Sequence, residues 1–394
     1  MLETLKLAPP DKIIALIGMF RDDPRPHKLD LGVGVYKDAQ GRTPIMHAVR
    51  TAEKWLYDSQ DSKSYLGMAG DPAFNNAFAR LVFGNHADFS RIRGCQAPGG
   101  SGALRLIAEL VRRARPDAVI WLSDPTWPNH VPLLEAAGLK TKPHPYFDAA
   151  TGEVTFEAML AALSTAAAGD LVLLHGCCHN PTGADLDAEQ WQAVADLIDQ
   201  RGLIPFVDLA YQGFGDGLDA DAAGLRLLAS RVPEMFVAAS CSKNFSVYRD
   251  RVGAAFILAR NAAEADIASS QINSVARGIY SMPPDHGAAA VRIILENDRL
   301  RAEWQDELDA MRERMKRLRS GLAEALRRHT NSDRFDFVTE HRGMFSRLGL
   351  TPEQVEKLRV DHAVYMVGDS RINVAGLRED SFDRLAEAIA AVIR

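Results

Sequence analysis

From residue 117 to residue 259 the sequence alternates short apolar segments with amphipathic ones. The apolar segments have the length and composition of strands, and they cover residues 117–124, 170–178, 203–210, 234–240 and 252–259. Most are separated by segments with helical spacing of apolar residues. This rhythm predicts an α/β fold with a mainly parallel sheet flanked by helices. Because such sheets bind ligands at the carboxyl ends of their strands, we expect the functional site there.

The size and charge of the chain narrow the possible functions. With 394 residues the chain exceeds the usual limit of a single core, so we expect one large and one smaller lobe. A formal net charge of −6, with no basic stripe interleaved with aromatic residues, argues against a nucleic-acid partner. No apolar run of about 18 residues and no basic, apolar leader is present, so we expect neither a membrane span nor export.

The cysteines indicate a reducing compartment. The chain has four of them, without a CxxC pair or a disulfide framework: Cys95, Cys177, Cys178 and Cys241. We therefore expect a cytoplasmic protein. His175 and His179 flank the adjacent pair, but no second cluster completes four ligands, so no metal site is expected.

The flanking regions have clear local patterns. Residues 1–12 are expected to form an extended arm that lies on a partner subunit, with Asp11 capping a first helix. Residues 29–44 have a strand-like pattern that is interrupted by Gly32, Gly34 and Gly41. Residues 94–116 are expected to form a glycine-rich turn followed by a helix. A long helical section, 287–328, leads into the second lobe. We expect strands at 333–339, 344–349, 363–367 and 371–376 there, with helices at 351–362 and 381–393.

Lys243 is the candidate nucleophile. It follows an apolar segment and lies among Ser240, Ser242 and, further on, Arg251. A lysine in such a place is desolvated, and lysine amines of this kind form Schiff bases with carbonyl compounds and with pyridoxal phosphate. The two hydroxyls and the guanidinium could bind a phosphate. The alternative is an ordinary surface lysine with a solvated ammonium.

Three further loops supply groups that suit a pyridine cofactor. Trp127 offers a flat ring for stacking, Asn180 an amide, and the segment 207–214 offers Asp208 for a ring nitrogen and Tyr211. In addition, Gly99–Gly102 stand at a predicted helix N-terminus, which favours anions. Each residue also has a plainer interpretation: Asp208 as a cap, Tyr211 as a packed ring, the glycines as a simple turn. His130 reads as a hydrogen-bond partner or a core histidine.

Taken together, the segments PTWPNH, HNPTG, VDLAYQGF, SKNF and YRDRVG resemble class I aminotransferases of the aspartate and aromatic amino acid type, over almost the whole chain. The resemblance implies a fold-type-I transferase dependent on pyridoxal 5'-phosphate, with a seven-stranded sheet and a homodimer with shared active sites. It also implies an arm at 1–12, a small domain of 13–43 plus 311–394, and a large cofactor-binding domain at 44–310.

The resemblance also implies roles for particular residues. Lys243 would join the cofactor covalently, Asp208 would pair with its ring nitrogen, Asn180 and Tyr211 would bind its phenolic oxygen, and Trp127 would stack on the ring. The implied phosphate site comprises Gly100, Ser101, Ser240, Ser242, Arg251 and, from the partner subunit, Tyr65. The implied substrate site comprises Gly34, Trp127, Asn180, Arg371 for the α-carboxylate and, from the other subunit, Arg277 for a second carboxylate.

The substrate and the reaction class are separate questions. Arg277 favours dicarboxylates such as 2-oxoglutarate, whereas Met282, Ser101 and Ser64 depart from aspartate-specialised relatives. Met282 is adaptable enough to line a pocket for an aromatic ring. We therefore expect transfer of the amino group of phenylalanine, tyrosine or tryptophan, and of aspartate, to 2-oxoglutarate by a ping-pong mechanism. Alternatives are an aspartate aminotransferase proper, a lyase or decarboxylase on the same scaffold, and a non-catalytic regulatory protein that binds the cofactor.

Overall fold

The computed structural model describes residues 1–7 and 12–394, with the backbone alone at residue 12. The strands in that part of the chain are β1 Leu29–Asp30, β2 Ile92–Pro98, β3 Val119–Asp124, β4 Lys140–Pro145, β5 Phe147–Asp148, β6 Glu153–Val154, β7 Leu171–His175, β8 Ile204–Leu209, β9 Met235–Ser240, β10 Val252–Leu258, β11 Phe345–Arg347, β12 Val364–Tyr365 and β13 Arg371–Asn373. The α-helices are α1 Lys12–Asp22, α2 His47–Ser59, α3 Pro72–Phe83, α4 Gly99–Ala114, α5 His130–Ala136, α6 Phe156–Leu163, α7 Ala188–Arg201, α8 Ala223–Arg231, α9 Ala262–Ile279, α10 His286–Glu296, α11 Asp298–Thr330, α12 Phe337–Glu340, α13 Pro352–His362 and α14 Phe382–Ile393.

A seven-stranded sheet forms the centre of the molecule. Its strand order is β2, β10, β9, β8, β7, β3, β4. Strands β9, β8, β7, β3 and β4 run parallel, while β10 is antiparallel to both β9 and β2. The prediction of an α/β fold with a mainly parallel sheet is confirmed. The parallel strands end on the same edge, which brings the loops after β3, β7, β8 and β9 together.

Two strands of this sheet were not predicted. Residues 94–98, which we expected to form a turn, belong to β2 and pair with β10. Strand β4 contains Lys140, Lys142, Pro143 and Pro145, and it lies at the edge of the sheet. Prolines and lysines are tolerated at an edge because one side of the strand needs no hydrogen-bond donors, so a pattern search misses such a strand.

Helices cover both faces of the sheet and a second core lies beyond it. Helix α4 buries Leu104, Leu106, Ile107 and Ala108. A separate apolar cluster combines Leu318 and other residues of α11 with β13, α13 and α14. Helix α11 joins the two regions, since Met315 packs with the sheet and Leu318 with the second cluster. The division into domains at 43/44 and 310/311 stays a prediction.

Two segments that we expected to be strands are not strands over most or all of their length. Of residues 29–44 only Leu29–Asp30 is a strand, paired with β12. Instead, the Asn373 amide donates to the carbonyls of Val33 and Val35 at 2.6 and 2.7 Å, so a side chain replaces the neighbouring strand. Residues 333–339 contain the start of α12 rather than a strand. Phe335 and Val338 are both buried, and this spacing of three is that of a helical turn.

The N-terminal arm is described only in part. Residues 2–4 form a single turn of 3₁₀ helix, while the predicted cap Asp11 lies outside the described residues. In the described ranges, no helix combines the length and the apolar character needed to cross a bilayer.

Candidate active site

A cavity of about 250 Å³ lies at the carboxyl ends of β7, β8 and β9. All the residues assigned to the cofactor and substrate sites line it except Tyr65, Arg277 and Arg371. Met282, which we expected to line a pocket for an aromatic ring, does not line it either. The lining comprises Gly34, Gly100, Ser101, Leu104, Trp127, His175, Cys177, Asn180, Asp208, Ala210, Tyr211, Ser240, Ser242, Lys243, Tyr248 and Arg251. The loops that were singled out along the sequence therefore converge on one place.

Asp208 is held as a carboxylate at the floor of the cavity. It is the last residue but one of the buried strand β8, and its Oδ2 lies 3.0 Å from His130 Nε2. Burial alone would raise its pKa, but the hydrogen bond and charge of His130, with smaller effects of His175 and Lys243, hold the pKa below its usual value. Oδ1 accepts no hydrogen bond from the described residues, so one carboxylate oxygen is available to a ligand.

A chain of polar contacts runs behind Asp208. His130 Nδ1 and His175 Nε2 lie 2.8 and 3.0 Å from the hydroxyl of Thr126. Burial lowers the pKa of His175 to about 3, so this imidazole is neutral. Trp127 meets the ring of His130 edge-on at 5.2 Å. His130 is thus a hydrogen-bond partner of Asp208, as its place in the sequence suggested.

Lys243 has few competing partners. Its Nζ lies 4.9 Å from the centre of the Tyr211 ring, and within the described part of the chain it forms no hydrogen bond or ion pair. Burial lowers the pKa of Lys243, and the charge of Asp208 opposes this only in part. A desolvated amine with a lowered pKa is the form of lysine that attacks carbonyl groups.

The beginning of α4, together with Ser240, Ser242 and Arg251, offers groups that could bind an anion. Pro98 precedes the helix, no side chain caps it, and Gly100 and Ser101 of its first turn line the cavity, so the free amides of this turn are available to an anion. Arg251 lies against Gly99, where an added Cβ would come within 2.5 Å of its Nη2. Arg251 Nη1 donates to Ser242 Oγ at 3.4 Å, and the guanidinium has no carboxylate partner among the described residues.

Arg371 is a buried cation with spare donors. It is 4 % exposed, donates to the carbonyl of Gly32 at 2.7 Å and to Asn180 Oδ1 at 3.4 Å, and its Nε has no acceptor. The guanidinium stacks on the ring of Phe345, 4.5 Å from its centre. No carboxylate of the described chain pairs with Arg371, so some of its donors remain free for a ligand. Its contact with Asn180, which lines the cavity, indicates that this ligand would bind in the cavity.

Tyr65 and Arg277 lie away from this cavity. Tyr65 is 93 % exposed, and Arg277, near the end of α9, is exposed and bonds to the hydroxyl of Ser281. The resemblance implies that both residues contribute to the active site of a partner subunit. Within the single chain, neither residue lines the candidate active site.

Two aromatic residues of the site were missed. The hydroxyl of Tyr248 accepts a hydrogen bond from the amide of Tyr36 at 3.0 Å and lines the cavity. Phe345 lies under Arg371, and its ring would contact a Cβ at Gly34 at 2.9 Å. Tyr248 stands within the segment 240–253, so its position near Lys243 was a usable signal. Phe345 had none, because its contacts depend on how the second lobe meets the first.

The donor set fits pyridoxal phosphate. The free Oδ1 of Asp208 suits a pyridinium nitrogen, and the uncapped helix with Ser240, Ser242 and Arg251 suits a phosphate group. Lys243 lies on the same cavity wall, with Trp127 available for stacking.

Comparison with known proteins gives one consistent result. Residues 26–389 match the family described as aminotransferase class I and II. The chain is 52 % identical to an aromatic-amino-acid aminotransferase of Paracoccus denitrificans and 46 % identical to an aspartate aminotransferase of Salmonella typhi, with 100 % of both chains covered in each case. A solved aromatic-amino-acid aminotransferase of Burkholderia pseudomallei, covalently bound to pyridoxal phosphate, is 42 % identical and superposes with a TM-score of 0.97 over 100 % of both chains. This chain belongs to the class I and II aminotransferases.

Proposed function

We propose that this aminotransferase uses pyridoxal 5'-phosphate to move the amino group of aromatic amino acids, and of aspartate, to 2-oxoglutarate. The observation that carries the proposal is Arg371, a buried guanidinium without a carboxylate partner in the described chain. Burying such a cation is costly unless a ligand compensates it. An α-carboxylate, common to amino acids and 2-oxo acids, would compensate it in both halves of the reaction.

Four side chains of the candidate active site have a task in this proposal. When bound, the cofactor supplies an electron sink for the bond that is broken at the substrate α-carbon. Asp208 keeps a proton on the ring nitrogen, since its own pKa is lowered and its Oδ1 is free. Lys243 Nζ, a poorly solvated amine, takes the proton from the α-carbon and returns it. Arg371 and Asn180 orient the substrate carboxylate.

The preference for aromatic substrates is supported by sequence. The aromatic-amino-acid aminotransferase of Paracoccus denitrificans is 52 % identical to this chain, against 46 % for the aspartate enzyme of Salmonella typhi. Met282 and Ser101 depart from the pattern of aspartate-specialised relatives in the same direction. A flexible thioether adapts to a ring and to a short acid alike, which fits a dual preference.

We also propose that the chain works as a homodimer in the cytoplasm. Tyr65 and Arg277 are exposed in the single chain, although their side chains suit phosphate and carboxylate groups. Large apolar residues are exposed in residues 45–68, the part of the sequence that contains Tyr65, and on α9, which carries Arg277. They are Ile45, Trp55, Tyr57, Met68, Ile267 and Ile279. All four cysteines are free thiols, in keeping with a reducing compartment.

A substrate panel tests the reaction and the preference. The purified protein is mixed with phenylalanine, tyrosine, tryptophan or aspartate, and the visible absorbance of the cofactor is followed in single turnovers before 2-oxoglutarate is added. We expect conversion with all four and reversal by 2-oxoglutarate. Release of carbon dioxide or ammonia instead would favour a lyase or decarboxylase, and an aspartate kcat/KM far above the aromatic values would refute the preference.

The shared site is tested by mixing variants. A Lys243→Ala chain and an Arg277→Ala chain are each expected to be inactive toward dicarboxylates, whereas their mixture should regain activity in hybrids with one intact site. The same chains should sediment as dimers. A monomer with full activity would refute the dimer proposal.

A further inference from the structure

A second cavity, of about 540 Å³, lies beside the candidate active site and carries negative charge. The charged residues that line it are five acids and, as the one cation in the described lining, Arg342. The acids are Asp185, Asp187, Asp216, Asp221 and Glu340. Cys177 is the single residue that lines both this cavity and the candidate active-site cavity. Because five carboxyl groups face one guanidinium, the excess of negative charge concentrates cations in this cavity, which Cys177 lines.

Two thiols and a carboxylate converge at the end of this cavity. Along an extended strand neighbouring side chains point to opposite faces, but Cys178 has a φ of 51°, which breaks that alternation directly after Cys177. The two Sγ atoms and a carboxylate oxygen of Asp221 lie within 4.8 Å of one another, and all three residues are buried. Asp221 is held in place by the amides of Gly213, Gly215 and Asp216 at 2.7 to 2.9 Å.

We propose that Cys177, Cys178 and Asp221 bind a thiophilic divalent cation, such as Zn²⁺ or Cd²⁺, which enters through the acidic cavity. Two sulfur ligands and one oxygen ligand suit a tetrahedral ion, with the fourth position open toward the cavity. Each thiol gives up its proton to solvent as its sulfur bonds to the metal, so binding releases two protons. The sequence analysis did not predict this site, because Asp221 lies far along the chain from the two cysteines.

A metal bound at this site would affect Arg371 through packing contacts. Gly343 lies against Cys178, where an added Cβ would come within 2.4 Å of the cysteine Cβ. Two residues further on, Phe345 carries the guanidinium of Arg371 on its ring. A metal that draws the two sulfurs together would displace Cys178, on which this segment packs. We therefore expect the bound cation to slow transamination, and this consequence rests on the proposed function.

The test uses the cofactor-loaded enzyme and Cd²⁺ alone. Titration is followed by the ultraviolet charge-transfer band between thiolate and metal, which is independent of catalysis, and in parallel by the rate with phenylalanine. We expect one equivalent of Cd²⁺ to produce the band and to lower the rate, and a strong chelator to reverse both. Cys177→Ser and Cys178→Ser should each abolish the band, and Asp221→Asn should weaken binding at least about tenfold.

Cys95→Ser is the matched control, because Cys95 is another buried cysteine, on β2, outside the cluster. It should leave the band unchanged, and circular dichroism of every variant checks that it folds. A band that survives both cluster substitutions, or that is lost in Cys95→Ser, would overturn the site. If the band forms while the rate stays constant, the coupling is wrong; if no transamination occurs in any sample, the proposed function fails while the band still reports on the site.

Discussion

Replacing Arg371 tests whether the buried guanidinium binds the substrate carboxylate. Arg371 uses two of its donors on Gly32 and Asn180 and leaves Nε without an acceptor, so a carboxylate can receive two charge-assisted hydrogen bonds. Each such bond contributes about 1.5–3 kcal/mol. Arg371→Lys keeps the charge but loses the fork, so kcat/KM should fall by about 10-fold to about 150-fold. Arg371→Leu loses both bonds, and the fall should reach about 150-fold to about 10⁴-fold.

The assay compares phenylalanine with phenethylamine, which lacks the carboxylate. In the wild type phenylalanine should be strongly preferred, and in Arg371→Leu this preference should collapse while the cofactor absorbance persists. Arg319→Lys is a control, because Arg319 is buried on the same lobe without an ion pair. Its guanidinium binds backbone carbonyls and Ser346, and Arg319 lines neither of the two cavities described above. It should lower stability and leave the preference intact. A wild-type kcat/KM for phenylalanine in Arg371→Leu would refute the reasoning.

Three further predictions concern the cavity floor and stability. Lys243→Ala should abolish the visible absorbance of the lysine-linked cofactor and nearly all turnover, and retained turnover would exclude Lys243 from its role. Asp208→Asn removes a carboxylate of lowered pKa, and we expect at least about a hundredfold loss of kcat with cofactor still bound, measured in single turnovers. Burial lowers the pKa of His341 to about 3, below about 6.5 in the unfolded chain, so the unfolded chain takes up a proton first as the pH falls. The free energy of unfolding should therefore decline from about pH 6.5 toward about pH 3. His341→Gln should make this decline shallower by about 1.4 kcal/mol per pH unit. Urea unfolding at fixed protein concentration checks this, and an unchanged slope would contradict it.

The floor of the site could be predicted from sequence because parallel strands impose it. Asp208 lies near the end of β8, and Trp127, Asn180 and Lys243 each follow a strand by a few residues. Strands that run the same way end on one edge. Once the alternation of strands and helices is recognised, these residues must come together. The same local logic explains why α4 and its glycine-rich start were found.

Features that depend on tertiary contacts could not be predicted. Strand β4 is rich in lysine and proline, so nothing local distinguishes it from a loop; only its pairing with β3 makes it a strand. Residues 33–36 have no partner strand; instead, side chains far along the sequence, Asn373 and Tyr248, bond to the backbone of Val33, Val35 and Tyr36. Likewise, the exposed positions of Tyr65 and Arg277 follow from the shape of a single chain, whereas the resemblance placed them in a shared site.

The hydrogen-bond partners of two buried arginines, Arg319 and Arg371, differ in a way that the sequence could not predict. Arg319 and Arg371 are both buried without a carboxylate in the described chain, and burial lowers the pKa of both, to about 9 for Arg319. Arg319 donates to five oxygen atoms, four of them backbone carbonyls, so its binding capacity is used to hold the chain that carries Phe345. The Nε of each arginine has no acceptor, but the other donors of Arg371 have only two acceptors, Gly32 and Asn180, and Asn180 lines the cavity. Because burial costs the same for both, the difference in satisfied donors, rather than burial or pKa, identifies Arg371 as the residue that requires an anionic ligand.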